Sequence, residues 1–346
     1  MQICTKCLLP ETYPNINFDE TGTCSHCIED KGPMAENADF ASEDELIRAF
    51  SGIKAMKAPY DAVVALSGGV DSTYALINLV TKYGLRVLGY HNDHGFEDSI
   101  ATLNVKNLCE KLDVDLIIAQ KDVTFMKKLW KYVAEGDVPG LTLCYVCGNI
   151  LYLNALEIAD KFQAPMLING YSKGQVSMVE NKEESIVFFQ QLLKLIENTG
   201  DRPFIELFHS KYELLSKRKS YSAKEDLLNH TRDQILVVPF FAYQFYKTDK
   251  QELRKYVESF YDWRPLKFSY PSRTTNCDMA WLNSYVDIQK RGYTSYHIEY
   301  AELIRRGEIT REQAIADLEF HAPDGMVKRL ANEIELDLGC LSFNRQ

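Results

Sequence analysis

The chain has no apolar run near the ~20 residues that a bilayer-crossing helix needs, so a membrane partner is not expected. Its opening, Met1-Gln2-Ile3-Cys4, carries no basic segment leading into an apolar one, which argues for a cytoplasmic protein. Basic residues are in deficit: 39 Lys and Arg against 49 Asp and Glu give a net charge of −10. A surface that docks on nucleic acid needs cations to replace phosphate counterions. The clearest basic cluster, Lys217-Arg218-Lys219, reads as a solvated helix face. The deficit therefore favours a small-molecule substrate and argues against nucleic acid. Internal repeats and low-complexity segments are also missing. With 46% hydrophobic and 25% charged residues, the composition is that of an ordinary globular chain.

Cysteine is what the chain has in plenty. A disulfide framework does not fit a reducing compartment, so the spacing of the nine cysteines carries the information. Six form three Cys-x-x-Cys pairs, leaving Cys109, Cys277 and Cys340 alone. Cys4-Thr5-Lys6-Cys7 and Cys24-Ser25-His26-Cys27, sixteen residues apart, have the spacing of a zinc ribbon. Residues 1–35 hold too few large apolar side chains to make a core, so a metal must hold them together. Four thiolates around zinc make a closed, structural site, and His26 is the less fitting ligand beside Cys24 and Cys27.

From residue 60 the pattern alternates. Short apolar runs at 61–66, 86–90, 116–119, 165–169 and 234–239 read as buried parallel strands. Helical spacing separates them at 72–82, 99–111, 125–134, 148–162 and, after the fifth strand, 250–260. This repetition predicts an α/β fold with a doubly wound parallel sheet. The tail is mostly helical. The expected division is 1–35, a zinc ribbon; 36–265, a nucleotide domain; and 266–346, a helical C-terminal region contributing to the active site.

Between the first strand and its helix stands Ser67-Gly68-Gly69-Val70-Asp71-Ser72. Glycines let the backbone approach phosphate oxygens, and the helix N-terminus adds unpaired N–H groups. Ser67 and Ser72 offer hydroxyl donors, and Asp71 an oxygen for magnesium. An ordinary Gly-Gly turn with a serine cap is the plain alternative, but six residues in strand–loop–helix order speak against it. The loop resembles that of the PP-loop ATP pyrophosphatases, which cleave ATP to AMP and pyrophosphate. No Gly-Lys-Ser/Thr comes after it, so it is not a Walker loop, and adenylyl rather than phosphoryl transfer is implied. The resemblance also implies nucleotide contacts from Asn92 in Tyr90-His91-Asn92-Asp93-His94-Gly95-Phe96, and from Gly170 and Lys173 in Gly170-Tyr171-Ser172-Lys173-Gly174. Lys173 or Lys247 is a candidate, from its position, to steady the leaving pyrophosphate, with an ordinary exposed lysine as the plain alternative for each.

Two further resemblances differ on the step after adenylation. Cys144-Tyr145-Val146-Cys147 and Cys277 resemble the cysteine set of PP-loop enzymes that thiolate tRNA, in which Cys-x-x-Cys and one later cysteine surround a cluster. Three such cysteines suit a [4Fe-4S] cluster with one open iron, or a trio that carries persulfide sulfur. The alternative is a buried apolar Cys277 beside a second zinc half-site. Meanwhile 3–10 (Ile-Cys-Thr-Lys-Cys-Leu-Leu-Pro), Phe18 to Cys24, Asp93 to Phe96 and Ile309-Thr310-Arg311-Glu312-Gln313-Ala314 are similar to the N-acetyl sugar amidotransferases. Those enzymes take ammonia from a separate glutaminase subunit, and no glutaminase domain is evident here. The segment Thr274-Thr275-Asn276-Cys277 departs from that pattern.

The leading expectation is an enzyme that adenylates a carbonyl or amide oxygen of a nucleobase-like small molecule and replaces it with sulfur from a donor or carrier. An ammonia-using sugar amidotransferase is the runner-up, with tRNA thiolation and a non-catalytic ATP sensor behind it. ATP, magnesium, zinc and a [4Fe-4S] cluster are the expected cofactors, Asp71, Cys144, Cys147 and Cys277 the expected catalytic residues, and a homodimer the expected assembly. His297 is a further proton-carrier candidate, with a histidine simply packed among aromatics as the commoner alternative.

Overall fold

The computed structural model describes residues 1–30, 42–136, 138, 140–171, 182–216, 235–242, 250–265, 269–271 and 277–341. At its centre is a five-stranded, wholly parallel sheet in the order β3-β2-β1-β4-β5. The strands are β1 (Ala62–Ala65), β2 (Val87–Asp93), β3 (Asp115–Gln120), β4 (Met166–Asn169) and β5 (Leu236–Pro239). The chain builds outward from β1 through β2 to β3, then returns to lay β4 on the other side of β1. That reversal opens a crevice at the carboxyl ends of β1 and β4, where open α/β sheets bind ligands.

Alternation along β1 explains why both its faces are buried. Ala62 and Val64 face one core with Leu76, Leu79 and Val105. Val63 faces the other with Leu88, Leu167, Ala155 and Ala159. The first core lies beneath α2 (Glu43–Ala55), α3 (Val70–Thr81), α4 (Ser99–Leu112) and the later helix at Lys250–Phe260. Ser42 caps α2, its hydroxyl accepting from the Glu45 N–H at 3.4 Å. The second core is covered by α6 (Leu143–Lys161), which comes after α5 (Val123–Glu135). The short α1 (Ser25–Glu29) belongs to the N-terminal segment.

Two boundaries differ from the sequence expectation. The α6 helix begins at Leu143 rather than 148, because Thr142 caps it by accepting from the Tyr145 N–H at 3.0 Å. Cys144 and Cys147 consequently sit on one face of its first turns. Strand β2 runs on to Asp93, drawn out by a six-residue register with β3 that ends at Asp93 opposite Gln120. His91 and Asn92 are thus strand residues, not part of the subsequent loop. Between β4 and β5 the described residues form α7 (Lys182–Asn198) and α8 (Arg202–Ser216).

The C-terminal region is helical as expected: after α9 (Lys250–Phe260) come α10 (Met279–Arg291), α11 (Ser295–Arg305), α12 (Arg311–Leu318) and α13 (Met326–Glu333). It is tied to the start of α6 by polar contacts. Asn283 accepts from the Cys144 N–H at 3.0 Å, Arg291 donates to the Leu141 carbonyl at 2.6 Å, and Lys290 donates to the Gly136 carbonyl. The N-terminal cysteine segment docks on this same region. Cys4, Leu9 and Cys24 pack with Ile298 and Ala301, Leu8 packs with Tyr300, Ala314 and Leu318, and Arg311 donates to the Cys4 carbonyl. Two distant stretches with sugar-amidotransferase likeness, 3–24 and 309–314, therefore form one module.

Gly68 has φ +76°, and an added Cβ would stand 2.3 Å from the Ala101 carbonyl oxygen in α4. Backbone cannot yield there as a flexible side chain would. Gly68→Ala should therefore destabilise the fold by at least about 2 kcal/mol in urea unfolding, from left-handed backbone cost plus the clash. An unchanged midpoint would contradict this placement.

Candidate active site

The ATP-loop candidate lies at the sheet crevice, ordered by its own hydroxyls. Ser67 and Ser72 hydroxyls are 3.1 Å apart. The Ser72 hydroxyl accepts from the Ser67 N–H at 3.2 Å, and the Ser67 hydroxyl accepts from the Gly69 N–H at 3.3 Å. Gly69 is the N-cap of α3 without a side-chain cap, so the first turn of the helix directs its N–H groups at whatever lies in front of it. Asp71 stands half-buried in that turn. Behind the loop, the Gly68 carbonyl accepts from Trp263 Nε1 at 3.0 Å and Asn104 Nδ2 at 3.4 Å. Sequence reasoning missed these two supports; the Trp263 contact spans 195 residues and leaves no local signal.

Gly170 closes the crevice from the β4 side. An added Cβ there would stand 2.7 Å from Ser72 N and Cα, so only glycine admits the approach of the two segments. The next residue reaches the cysteines' helix: a Cβ on Gly148 would lie 4.0 Å from the Tyr171 hydroxyl oxygen. Asn92, at the end of β2, accepts from Tyr90 Oη at 2.8 Å and Asn154 Nδ2 at 3.1 Å, while its own Nδ2 is buried without a partner. Such an unmet buried donor is costly and marks a place for a ligand acceptor. Lys173, Lys247, the cluster Lys217-Arg218-Lys219 and residues 272–276 lie outside the described residues.

Cys144, Cys147 and Cys277 come together. Residue 277 reaches the sheet edge through an antiparallel bridge between Glu97 and Cys277, and the Asp278 N–H donates to the Phe96 carbonyl at 3.0 Å. Burial pushes the Cys144 thiol up to about 12, with the Asp287 charge adding to it. Burial also holds Cys147 and Cys277 well above the usual thiol range, reinforced by the other cysteines and by Glu97. A buried thiolate needs a cation or metal to exist there. Among the described residues, only the four front cysteines gather their ligand atoms within 4.8 Å of one another. A single zinc ion requires that closeness, whereas a cubane distributes its thiolates over separate corner irons. Cys144, Cys147 and Cys277 are not gathered that closely.

The front four have the opposite geometry. Cys7 and Cys24 sulfurs are 3.5 Å apart and Cys4 and Cys27 sulfurs 3.9 Å, near the ~3.8 Å edge of a tetrahedron with 2.3 Å Zn–S bonds. Burial raises the Cys4 thiol, but N–H groups of Cys7, Cys24 and Lys6 outweigh it and bring it to about 7. The donor set fits a tetrahedral thiolate-bound metal, and His26 is not part of it.

His297 is not placed as a proton carrier. Its Nδ1 accepts from the Thr294 N–H at 3.2 Å and lies 2.9 Å from Thr294 Oγ1, forming the capping box of α11.

Three comparisons bear on this geometry. No family model matches the chain. In sequence it is 31% identical over 173 residues to tRNA-specific 2-thiouridylase MnmA 2 of Fusobacterium nucleatum, covering 47% of this chain and 48% of that protein. It is 30% identical over 120 residues to a probable tRNA sulfurtransferase of Methanobrevibacter smithii, covering 33% of this chain and 30% of that protein. The chain thus spans about half the length, or less, of the curated relatives it matches. Among solved structures, the U34-tRNA thiolase NcsA of Methanococcus maripaludis with its [4Fe-4S] cluster aligns over 97% of this chain and 99% of that one. It does so at 15% identity and TM-score 0.36, too loose for residue-by-residue correspondence. The sequence likeness is thus to tRNA-thiolating enzymes over a third to a half of this chain, and it accompanies a parallel sheet with the Ser67–Ser72 loop after its central strand.

Burial lowers the His297 pKa from its usual 6.5 to about 4. Between those values the unfolded chain binds more protons, so the stability from neutral His297 is complete above pH 6.5 and is lost as pH falls towards 4. The loss amounts to about 3 kcal/mol. In a His297→Asn variant, the difference in unfolding free energy from wild type should shrink by that order between about pH 7 and 4. A pH-independent difference would contradict it.

Proposed function

We propose that the protein is an enzyme that adenylates a carbonyl or amide oxygen with ATP and replaces it with sulfur delivered at Cys144, Cys147 and Cys277. The single observation that supports this reading is that Cys277 is held by its bridge to Glu97, just after β2, while Cys144 and Cys147 share one face of the first turns of α6, whose start Asn283 of the following helix holds. Gly170 abuts Ser72 of the ATP loop, and Tyr171 meets Gly148 in α6.

In the first half-reaction the α3 N-terminus, the Gly69 N–H and the Ser67 and Ser72 hydroxyls hold the phosphates, with Asp71 holding magnesium. The acceptor oxygen attacks the α-phosphorus, and pyrophosphate leaves. Fixed donors suit this step because they stabilise charge developing on the phosphate oxygens without reorganising. The amide N–H proton is released in that first step; in the second, hydrosulfide adds to the activated carbon, AMP leaves with the original oxygen, and the hydrosulfide proton passes to the amide nitrogen, so the product is a thioamide and no electron changes hands. A [4Fe-4S] cluster held by Cys144, Cys147 and Cys277 would supply an iron on which sulfide can be kept close to that carbon and out of water. The buried pocket contributes the exclusion of water, which protects the activated acceptor from hydrolysis. The front cysteines hold zinc and serve the C-terminal module.

The acceptor is read as a nucleobase-like small molecule. The relatives' names point to tRNA, but a net charge of −10 gives this chain a poor surface for a polyanion. A second reading has its own observation. The docking of residues 3–10 and 18–24 beside 309–314 assembles the segments that resemble N-acetyl sugar amidotransferases. In that case ammonia from a glutaminase subunit displaces AMP.

Anaerobic purification separates these readings. The sulfur reading predicts a brown protein whose absorption bleaches in air, with about four irons and one zinc per chain. Cys277→Ala should lose the iron and retain the zinc, and Cys4→Ser should lose the zinc. Formation of AMP should depend on acceptor and fall at least about 100-fold in Asp71→Asn, the scale of losing a charged catalytic group. A colourless, zinc-only protein whose activity survives Cys277→Ala would overturn sulfur transfer and leave the ammonia reading. Product formation on total tRNA but on no small acceptor would overturn the small-molecule assignment.

A further inference from the structure

The segment between β2 and α4 carries two buried polar groups that adenylation does not use. His94 Nε2 lies 3.0 Å from Glu97 Oε1, and the two side chains are 2% and 9% exposed. Neither His94 Nδ1 nor Glu97 Oε2 has a hydrogen-bond partner. An unpaired carboxylate oxygen that deep is expensive unless a cation or metal completes it.

Its surroundings say which. Glu97 is bridged to Cys277 through the backbone, fixing the two residues side by side. That pairing sets the buried free oxygen next to Cys277. His94 controls which oxygen is free: with the proton on Nε2 it donates to Oε1 and leaves Oε2 open. A metal-bound carboxylate is commonly oriented by such a neighbouring donor. Trp130 packs edge-on against the His94 ring with centroids 5.6 Å apart and restrains it.

We propose that Glu97 is the fourth protein ligand of the centre held by Cys144, Cys147 and Cys277, binding through Oε2 the metal position that the three cysteines leave open, with His94 as its positioning residue. This rests on the cluster reading above and deepens it. A carboxylate is a harder ligand than thiolate and binds a soft iron–sulfur site less firmly. With a cluster bound, Glu97 would be an exchangeable ligand that gives way to sulfide. The exchange is a substitution of one anionic ligand for another, without oxidation or reduction.

The test uses the whole protein, labelled selectively with glutamate carrying carbon-13 in its side-chain carboxyl, reconstituted anaerobically with iron and sulfide, and reduced. Electron–nuclear double resonance should show a carboxyl-carbon coupling to the cluster that vanishes on adding excess sulfide. The coupling should also be missing in Glu97→Gln, which should retain about three irons per chain against about four in wild type after mild oxidation, because its capped iron is lost. A cluster with no carboxyl coupling overturns the role of Glu97 and leaves the cluster reading intact. A protein that takes up no iron but binds a second zinc with three sulfurs and one oxygen by X-ray absorption supports Glu97 as ligand while overturning the cluster. A protein that takes up neither metal overturns both. The wild-type spectrum decides the question even where Glu97→Gln folds poorly.

Discussion

The close approach of Gly170 to the first turn of α3 is the constraint on which the rest of the site depends. With 2.7 Å between a hypothetical Cβ and Ser72, no side chain fits between the end of β4 and the ATP loop. The reversal of strand order at β1 makes the two segments neighbours. The glycine then lets them touch, so the loop's donors and the residues after β4 face one crevice. The Tyr171 hydroxyl stands beside Gly148 in α6, 4.0 Å from where a Cβ on that glycine would be, and the first turns of α6 hold Cys144 and Cys147. The Ser67–Ser72 loop and the residue after β4 therefore meet at one edge of the sheet.

The C-terminal helices brace that edge from outside the sheet. They fix the start of α6 through Asn283 and Arg291, whose carboxylate partner Asp287 is fully buried at 3.0 Å. Burial holds the Asp287 carboxyl up at about 6, against the lowering effect of Arg291 and the Ser295 N–H. Removing Asp287 alone would leave a buried guanidinium without its partner, which is why the pair reads as a specific joint rather than as net stabilisation. The same helices receive the thiolate-rich N-terminal segment, so the metal module supports the part of the chain that positions all three cysteines of the pocket.

Much of the fold is legible in the sequence for local reasons. The strands of the sheet announce themselves as short β-branched runs, and Ser67 to Ser72 in strand–loop–helix order needs nothing distant to be recognised. Paired cysteines across a coreless stretch likewise imply a metal. The start of α6 is harder to read, because the Thr142 cap precedes an apolar run that resembles a loop ending at Cys147. The extension of β2 through His91 and Asn92 is hidden for another reason: its register with β3 is a tertiary fact. The partners of Gly68, Asn104 and Trp263, and the bridge between Glu97 and Cys277 join residues far apart in the chain. No spacing rule reaches them. Lys173 and Lys247 fall outside the described residues and stay as sequence expectations.

Activation and substitution, on this account, occur side by side in one cavity. Magnetic coupling between the two halves tests that most directly. With the reconstituted cluster reduced and Mn2+–ATP bound in place of Mg2+–ATP, the power saturation of the cluster's paramagnetic resonance should shift to higher power, because a nearby manganese spin speeds its relaxation. Identical saturation with manganese and magnesium, at ATP concentrations that fill the loop, would contradict the account.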